Sequence, residues 1–267
     1  MFGRSYDDYS YPGAIIGRPT AFSYARDADS SALKLRGTCG AVTYRDALSC
    51  AGRRDTGRRD RRVAKAVVWD MDGTLFDSAV VVPAAFAAAL RTLGYPPATA
   101  AEVIAAYPLG PPDVIMAHLA GRPLTAADME AYYAELEHAR LQPYPGVTAT
   151  LDALRAAGRP VAVFTGASRR AAEMLLAAAG LDADVLVGGD EVPRAKPAPD
   201  GLFVVAAALG VAPGDLAYIG DSPGDVRAAR AAGSHAAAAA WGHMFDPAEP
   251  ADSVLARPAD ALALLAW

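Results

Sequence analysis

The stretch Ala66-Val67-Val68-Trp69-Asp70-Met71-Asp72-Gly73-Thr74 decides the fold. Four apolar residues followed at once by Asp predict a short strand buried on both faces, because a half-exposed strand would alternate apolar and polar residues. Asp70 and Asp72 then stand two residues apart in a tight turn, and Gly73 lets the chain leave the strand sharply. Two carboxylates at the end of a buried strand are costly to place there without a partner. One can act as a nucleophile while the other exchanges a proton with a leaving oxygen and then with water. Alone, Asp-x-Asp is a weak signal, shared by solvated turns and calcium-binding loops. Its strand context and its distant partners raise it.

The same pattern recurs downstream. Val161–Phe164 ends in Thr165-Gly166, Val185–Val187 ends in Gly188-Gly189-Asp190, and Leu216–Ile219 ends in Gly220-Asp221. Each reads as a buried parallel strand. Between them, Val147, Leu151 and Leu154 follow helical spacing. Ser168 is placed to cap a helix stopping at Gly180, Asp200 to cap one stopping at Gly210, and Pro223 to open one running to Gly233. Strands alternating with helices predict an α/β fold with a doubly wound parallel sheet, which binds ligands at the carboxyl ends of its strands. Asp70, Thr165 and Asp221 all occupy such ends. Residues 79–145 break the alternation with helices only: Phe86, Leu90 and Leu93 mark one, Ile115 and Leu119 a second. Thr125 and Asp128 form a capping box for a third that carries Met129, Tyr133 and Leu136 on one face. An all-helical insertion after the first strand reads as a lid over the strand ends.

Composition narrows the partners. The net charge is −5, which gives no reason to expect nucleic acid or an acidic membrane surface. No apolar run is long enough to span a bilayer, so no membrane partner is expected. Only two cysteines occur, Cys39 and Cys50, which suits a reducing cytoplasm as well as a disulfide. The alanine run Ala236–Ala240 reads as a compositional bias. Charge is unevenly divided: residues 1–62 hold twelve Lys+Arg against seven Asp+Glu and end in a basic run over 53–62. A charge block without a folded face is expected to be a solvated tail, so residues 1–62 read as an extension outside the working unit. The core is expected over 63–78 and 146–267, with the helical cap over 79–145.

The distant partners of the first motif are Thr165, Lys196, Asp221 and Asp225. Thr165 and the Gly166 amide can donate hydrogen bonds to phosphate oxygens. Lys196 is the only lysine beyond Val67, and the Pro-Ala-Pro after it stiffens its loop, which suits a fixed cation facing a phosphate. Gly220-Asp221-Ser222-Pro223-Gly224-Asp225 adds two carboxylates at a strand end and in a first helical turn. A hard cation such as Mg2+ takes oxygen ligands and keeps waters, so Asp70, Asp221 and a backbone carbonyl would suffice for it. Asp225 also suits helix-dipole stabilisation, and the two roles are compatible.

Asp70-x-Asp72-Gly-Thr, the strand ending in Thr165-Gly166, Lys196-Pro197 and Gly220-Asp221-x-x-x-Asp225 stand in the order and approximate spacing of the haloacid dehalogenase superfamily. Over residues 66 to about 245 the chain resembles its phosphoglycolate-phosphatase-like and β-phosphoglucomutase-like branch. That resemblance implies a Rossmann-like core with an all-helical cap inserted after the first core strand. It implies a Mg2+-dependent phosphatase acting on a small-molecule phosphate ester, with Asp70 forming an aspartyl-phosphate and Asp72 acting as general acid, then base. Thr165 and Lys196, with Asp72, Gly73 and Gly166 nearby, would hold the phosphoryl group. Asp70, the Asp72 main-chain carbonyl and Asp221 would bind Mg2+, with Asp225 acting through water. The segment Tyr107-Pro108-Leu109-Gly110-Pro111-Pro112 resembles the family's specificity loop, which makes Tyr107, Gly110 and Pro111 candidates for substrate selection.

Residues weigh against three rivals in the family. A dehalogenase needs neither Asp72 nor the Asp221/Asp225 pair. A phosphonate-cleaving enzyme uses a cap lysine, and residues 79–145 contain none. A mutase places a His where Val82 stands. Two other readings stay open: a phosphotransferase passing the phosphoryl group to an acceptor other than water, and a silent binding module. His118, Arg122 and Arg140 are expected to face solvent.

Overall fold

The computed structural model describes residues 64–265 and, upstream, two short strands, β1 (Ala32–Leu33) and β2 (Val42–Thr43), which pair antiparallel. The expected N-terminal extension apart from these strands, its basic run and both cysteines lie outside the described residues. From Ala66 onward six strands form one parallel sheet: β3 (Ala66–Trp69), β4 (Ala162–Phe164), β5 (Val185–Val187), β6 (Leu216–Gly220), β7 (His235–Ala239) and β8 (Ser253–Leu255). Their spatial order is β5-β4-β3-β6-β7-β8. The chain runs outward from β3 to β5, then returns to pair β6 on the other side of β3. That reversal opens a crevice at the carboxyl ends of β3 and β6, the place where such sheets bind ligands.

The described α-helices are α1 (Val81–Thr92), α2 (Ala100–Ala106), α3 (Pro112–Ala120), α4 (Ala126–Glu137), α5 (Val147–Ala156), α6 (Arg169–Ala178), α7 (Asp200–Leu209) and α8 (Pro223–Ala232). Side chains alternate across the sheet, so the strands feed two cores. Val67, Trp69, Val163 and Ile219 join one with Leu151 of α5 and Leu175 of α6. Ala66, Val68, Phe164 and Tyr218 join the other with Leu202 and Val205 of α7 and Val226 of α8. Helices on both faces explain why the strands read as continuous apolar runs.

Helices α1–α4 all lie between β3 and β4. They bury Phe86, Leu90, Met116, Met129 and Tyr132, and the rings of Phe86 and Tyr132 stand 4.5 Å apart. Three contacts join α4 to the start of α6. Glu130 pairs with Arg170 at 2.5 and 2.8 Å, the Arg170 guanidinium lies 4.0 Å from the Tyr133 ring centre, and the Tyr133 hydroxyl is 3.1 Å from Ser168 Oγ. Among the described residues no helix is long and apolar enough to cross a membrane.

Several local expectations needed correction. Ala236–Ala239 is not mere bias but four buried residues of β7, of which Ala236, Ala237 and Ala238 pair with β6 and Ala239 with β8. Alanine has low strand propensity, and burial between two neighbouring strands overrides it. Helix α2 was not foreseen, although Thr99 and Glu102 form a full capping box. In α4 the buried aromatic is Tyr132, while Tyr133 is half-buried against α6. Asp200 does not cap α7: Pro199 holds that position, and the fully buried Asp200 carboxylate accepts from Arg194 at 2.8 Å.

Gly201 in the first turn of α7 packs so tightly on β4 that a Cβ there would fall inside the Phe164 ring. We expect Gly201→Ala to lower stability by about 1–3 kcal/mol through overpacking. A thermal melt unchanged from wild type would show that the helix shifts freely off the sheet.

Candidate active site

The ladder sets the first catalytic candidate. Trp69 pairs with Val163 on one side and Ile219 on the other, and the Asp70 N–H donates to the Ile219 carbonyl at 2.7 Å. Asp70, Thr165 and Asp221 therefore leave the sheet along a single edge. All three are buried. Beyond Asp70 the chain folds back on itself: the Gly73 N–H donates to Phe76 O at 2.9 Å and the Leu75 N–H to Met71 O at 2.9 Å, with Gly73 at φ +79. A Cβ at Gly73 would run into the Asp221 carboxylate, so glycine is needed here for space as well as for conformation.

Lys196 is the hub. Its Nζ donates to Asp70 Oδ1 at 2.6 Å and to Asp225 Oδ1 at 2.7 Å, with the Tyr218 hydroxyl at 3.3 Å. Asp225 is fully engaged. Besides Lys196 and the Tyr218 hydroxyl at 3.0 Å, it accepts from the Ser222 N–H at 3.0 Å and the Ser222 Oγ at 2.6 Å. It is thus both the N-terminal capping partner of α8 and the anchor of the lysine. Asp221 differs: Oδ2 accepts from the Met244 N–H at 2.9 Å, while the buried Oδ1 has no hydrogen-bond partner among the described residues. Asp72 Oδ1 is likewise buried without a partner.

Charge is out of balance here. Ligand oxygens of Asp70, Asp221 and Asp225 all lie within 4.8 Å of one another, with Lys196 as their bonded cation. Burial, then Asp225, pushes Asp70 well above the usual carboxylate range despite Lys196. Burial followed by Asp225 pushes Asp221 up to about 7. Burial pushes Asp72 up, with the Ser78 hydroxyl opposing. Burial pulls the Lys196 ammonium down, but Asp225 and Asp70 more than reverse this and hold it above its ordinary value. Clustered oxygen donors, an excess of buried carboxylate and orphaned acceptors on Asp72 and Asp221 fit a hard divalent cation.

Thr165 Oγ1 accepts from the Ala167 N–H at 3.1 Å, and Thr165, Gly166 and Lys196 line a cavity of about 410 Å³ together with Asp70, Asp72 and Asp221. Tyr107 and Gly110 line it from the helical insertion. Pro111 does not; its neighbour Pro112 does, because Pro111 sits at the N-cap of α3 outside the cavity wall. His118, Arg122 and Arg140 are exposed and take no part in the lining.

Sequence reasoning missed the loop after β7. Trp241 Nε1 donates to Thr74 O at 2.9 Å, and a Cβ at Gly242 would strike Asp221 and the Gly73 carbonyl. His243 and Met244 reach the cavity. The signal was Gly242 soon after the alanine run, and it was lost because that run was not read as a strand. Tyr218 and Ser222 were missed too, since their roles depend on contacts with Lys196 and Asp225.

A family model for haloacid dehalogenase-like hydrolases matches residues 64–233. The chain belongs to the haloacid dehalogenase-like hydrolase family. Among curated haloacid dehalogenase-like relatives, a phosphoglycolate phosphatase of Xanthomonas campestris pv. campestris is 33% identical over 217 residues, spanning 77% of this chain and 98% of that protein. The phosphoglycolate phosphatase of Escherichia coli K12 is 32% identical over 213 residues, spanning 69% and 84%. The crystal structure of a predicted phosphoglycolate phosphatase from Haemophilus somnus aligns with TM-score 0.61 at 25% identity, over 78% of this chain and 99% of that one. CbbY of Rhodobacter sphaeroides shares the fold, with TM-score 0.63 at 23% identity over 76% and 99%.

Asp221 gives a pH test in chelator-treated protein. Its raised folded pKa means the folded state keeps a proton that the unfolded chain releases near pH 4, so this contribution to stability is lost as pH rises toward about 7. Asp221→Asn cannot ionise. We expect its stability advantage over metal-free wild type to grow by about 2 kcal/mol between roughly pH 5 and pH 8. A pH-independent difference between the two melting curves would contradict the burial of a charged Asp221.

Proposed function

We propose that the protein is a divalent-metal-dependent phosphatase, with Mg2+ as the metal, that hydrolyses a small-molecule phosphate monoester through an aspartyl-phosphate. The observation that carries this reading is the Lys196 bridge between Asp70 and Asp225 beside the unpartnered Oδ1 of Asp221. It leaves a carboxylate nucleophile, a fixed cation and a cation-seeking acceptor at one edge of the sheet. The relatives named phosphoglycolate phosphatase support the same reaction class.

In this reading an Asp70 carboxylate oxygen bonds to phosphorus as the bond from phosphorus to the alcohol oxygen breaks. Asp72, whose carboxyl burial pushes toward the protonated form, gives its proton to the leaving oxygen. Asp72 then takes a proton from water as that water attacks the aspartyl-phosphate, releasing phosphate and restoring Asp70. Lys196, the Thr165 hydroxyl and the Gly166 amide hold the phosphoryl oxygens, with Gly73 keeping the turn open for them. Asp70, the Asp72 carbonyl and Asp221 would hold the metal, and Asp225 would act on it through water while fixing Lys196. The bound metal would supply positive charge to offset that of the transferring phosphoryl group.

Residues 79–145 serve in this reading as a cap over a core of 63–78 and 146–267, keeping bulk water from the first step. The substrate is a small molecule, with no role for nucleic acid or membrane, and the cytoplasm is the proposed location. A phosphotransferase would use the same first half-reaction, and product analysis with added alcohols separates the two.

Phosphate release by wild type and Asp70→Asn, with and without chelator, tests the reading. Wild type should lose activity on chelation and regain it with Mg2+. Asp70→Asn should lose roughly 10⁴-fold or more, and acid-quenched wild type should carry a phosphoryl group on Asp70. Metal-dependent turnover surviving in Asp70→Asn would sink the mechanism.

A further inference from the structure

The helical insertion builds one whole wall of the cavity, and that wall carries no formal charge. Val82 and Phe86 of α1, Tyr107 and Pro108 of the turn after α2, Ile115 of α3 and Tyr132 of α4 face it. The basic side chains lining the cavity all come from the other side. Lys196 is bound to Asp70 and Asp225, Arg227 is paired with Glu249 at 2.6 Å, and His243 Nδ1 lies 3.7 Å from Asp77. Burial, and then the Asp72 carboxylate, hold the Tyr107 hydroxyl in its neutral, proton-bearing form. Tyr132 is almost wholly buried and lines the cavity.

These facts constrain the alcohol half of the ester. A second carboxylate, as in glycolate, would be desolvated against a wall that offers it no cation, with the basic groups across the cavity already engaged by carboxylates. A sugar would leave most of its hydroxyls facing carbon. An apolar group of ring size would lie against Tyr107 and Pro108, the wall residues that keep exposed surface, and displace water from them, which is the favourable direction. Two carbon atoms would leave much of the cavity of about 410 Å³ unfilled.

Building on the phosphatase reading, we infer that the preferred substrate is a phosphate monoester of an uncharged, predominantly apolar alcohol of about ring size. Tyr132 offers a neutral hydroxyl on this wall. Selection lies in the wall formed by Val82, Phe86, Tyr107, Ile115 and Tyr132, and the phosphoryl-holding residues are indifferent to it.

The test compares benzyl phosphate, 2-phosphoglycolate and glucose 6-phosphate with the full chain and Mg2+. All are alkyl esters, so kcat/KM reports chiefly on recognition of the alcohol. The expected kcat/KM for benzyl phosphate is at least tenfold above both others, expressed mainly in KM. Tyr107→Arg, at a half-buried position, should narrow the gap to 2-phosphoglycolate about tenfold by lowering its KM. Equal or better turnover of 2-phosphoglycolate or glucose 6-phosphate by wild type overturns this inference and leaves the phosphatase reading standing. No release from any ester overturns both.

Discussion

Three buried carboxylates gathered around one lysine are the constraint on which the rest of the molecule depends. Removing Asp70, Asp221 and Asp225 from water is unfavourable, and Lys196 offsets only part of the mutual repulsion. The fold meets this constraint with rigid geometry. Parallel pairing fixes Asp70 and Asp221 at adjacent strand ends, and the first turn of α8 fixes Asp225 through Ser222. The cost also explains why the surrounding chain has no slack. Gly73 and Gly242 stand where any Cβ would strike Asp221, so two loops from distant parts of the sequence press directly on one carboxylate. Close packing of this kind needs a rigid scaffold, and here a six-stranded sheet covered on both faces provides it.

The helical insertion changes the electrostatics of the same site. Covering the strand ends lowers the local dielectric, which strengthens each contact made by Lys196 and raises the cost of every unpaired acceptor. The contacts that tie the insertion to α6 are of a different kind. The Glu130–Arg170 pair is largely exposed, and the Arg170–Tyr133 stack and the Tyr133–Ser168 contact join the same two helices beside it. Exposed ion pairs contribute little, on the order of 0–1 kcal/mol each. The insertion is held chiefly by apolar packing, because Phe86, Met129 and Tyr132 share one buried cluster with Trp69 and Leu175 of the core.

Much of this was legible in the sequence because the central strands carry strong local signals. Ala66–Trp69 and Leu216–Ile219 are short apolar runs closed by Asp or Gly, and Ser168 and Thr125 announce their helices by side-chain capping that the structure repeats. The motif residues Asp70, Thr165 and Asp221 meet because parallel pairing puts strand ends together, a geometric rule that needs no detailed contact map, while Lys196 reaches them from the loop after β5. What escaped was everything that tertiary context decides. An alanine run has no local reason to be a strand, so β7 and the loop behind it, with Trp241, Gly242 and Met244, went unread. Asp200 looks like a cap by residue type, yet it is turned inward to Arg194. Tyr132 and Tyr133 are neighbours in sequence, and only the packing of α4 determines which of them reaches the cavity.

The site therefore divides into two halves that obey different physics. The core half carries the charge: Asp70, Asp72, Lys196 and Asp221 all line the cavity from that side. The insertion half is built from carbon and two phenolic hydroxyls, and nothing in the chemistry at phosphorus prescribes it. Resemblance to phosphoglycolate phosphatases at about a third identity speaks for the fold and the first half. It does not carry the alcohol with it, because a carboxylate-bearing alcohol calls for a cation that Val82, Phe86, Ile115 and Tyr132 do not provide. Reaction class is thus read from the strand ends, and substrate identity from the wall that faces them.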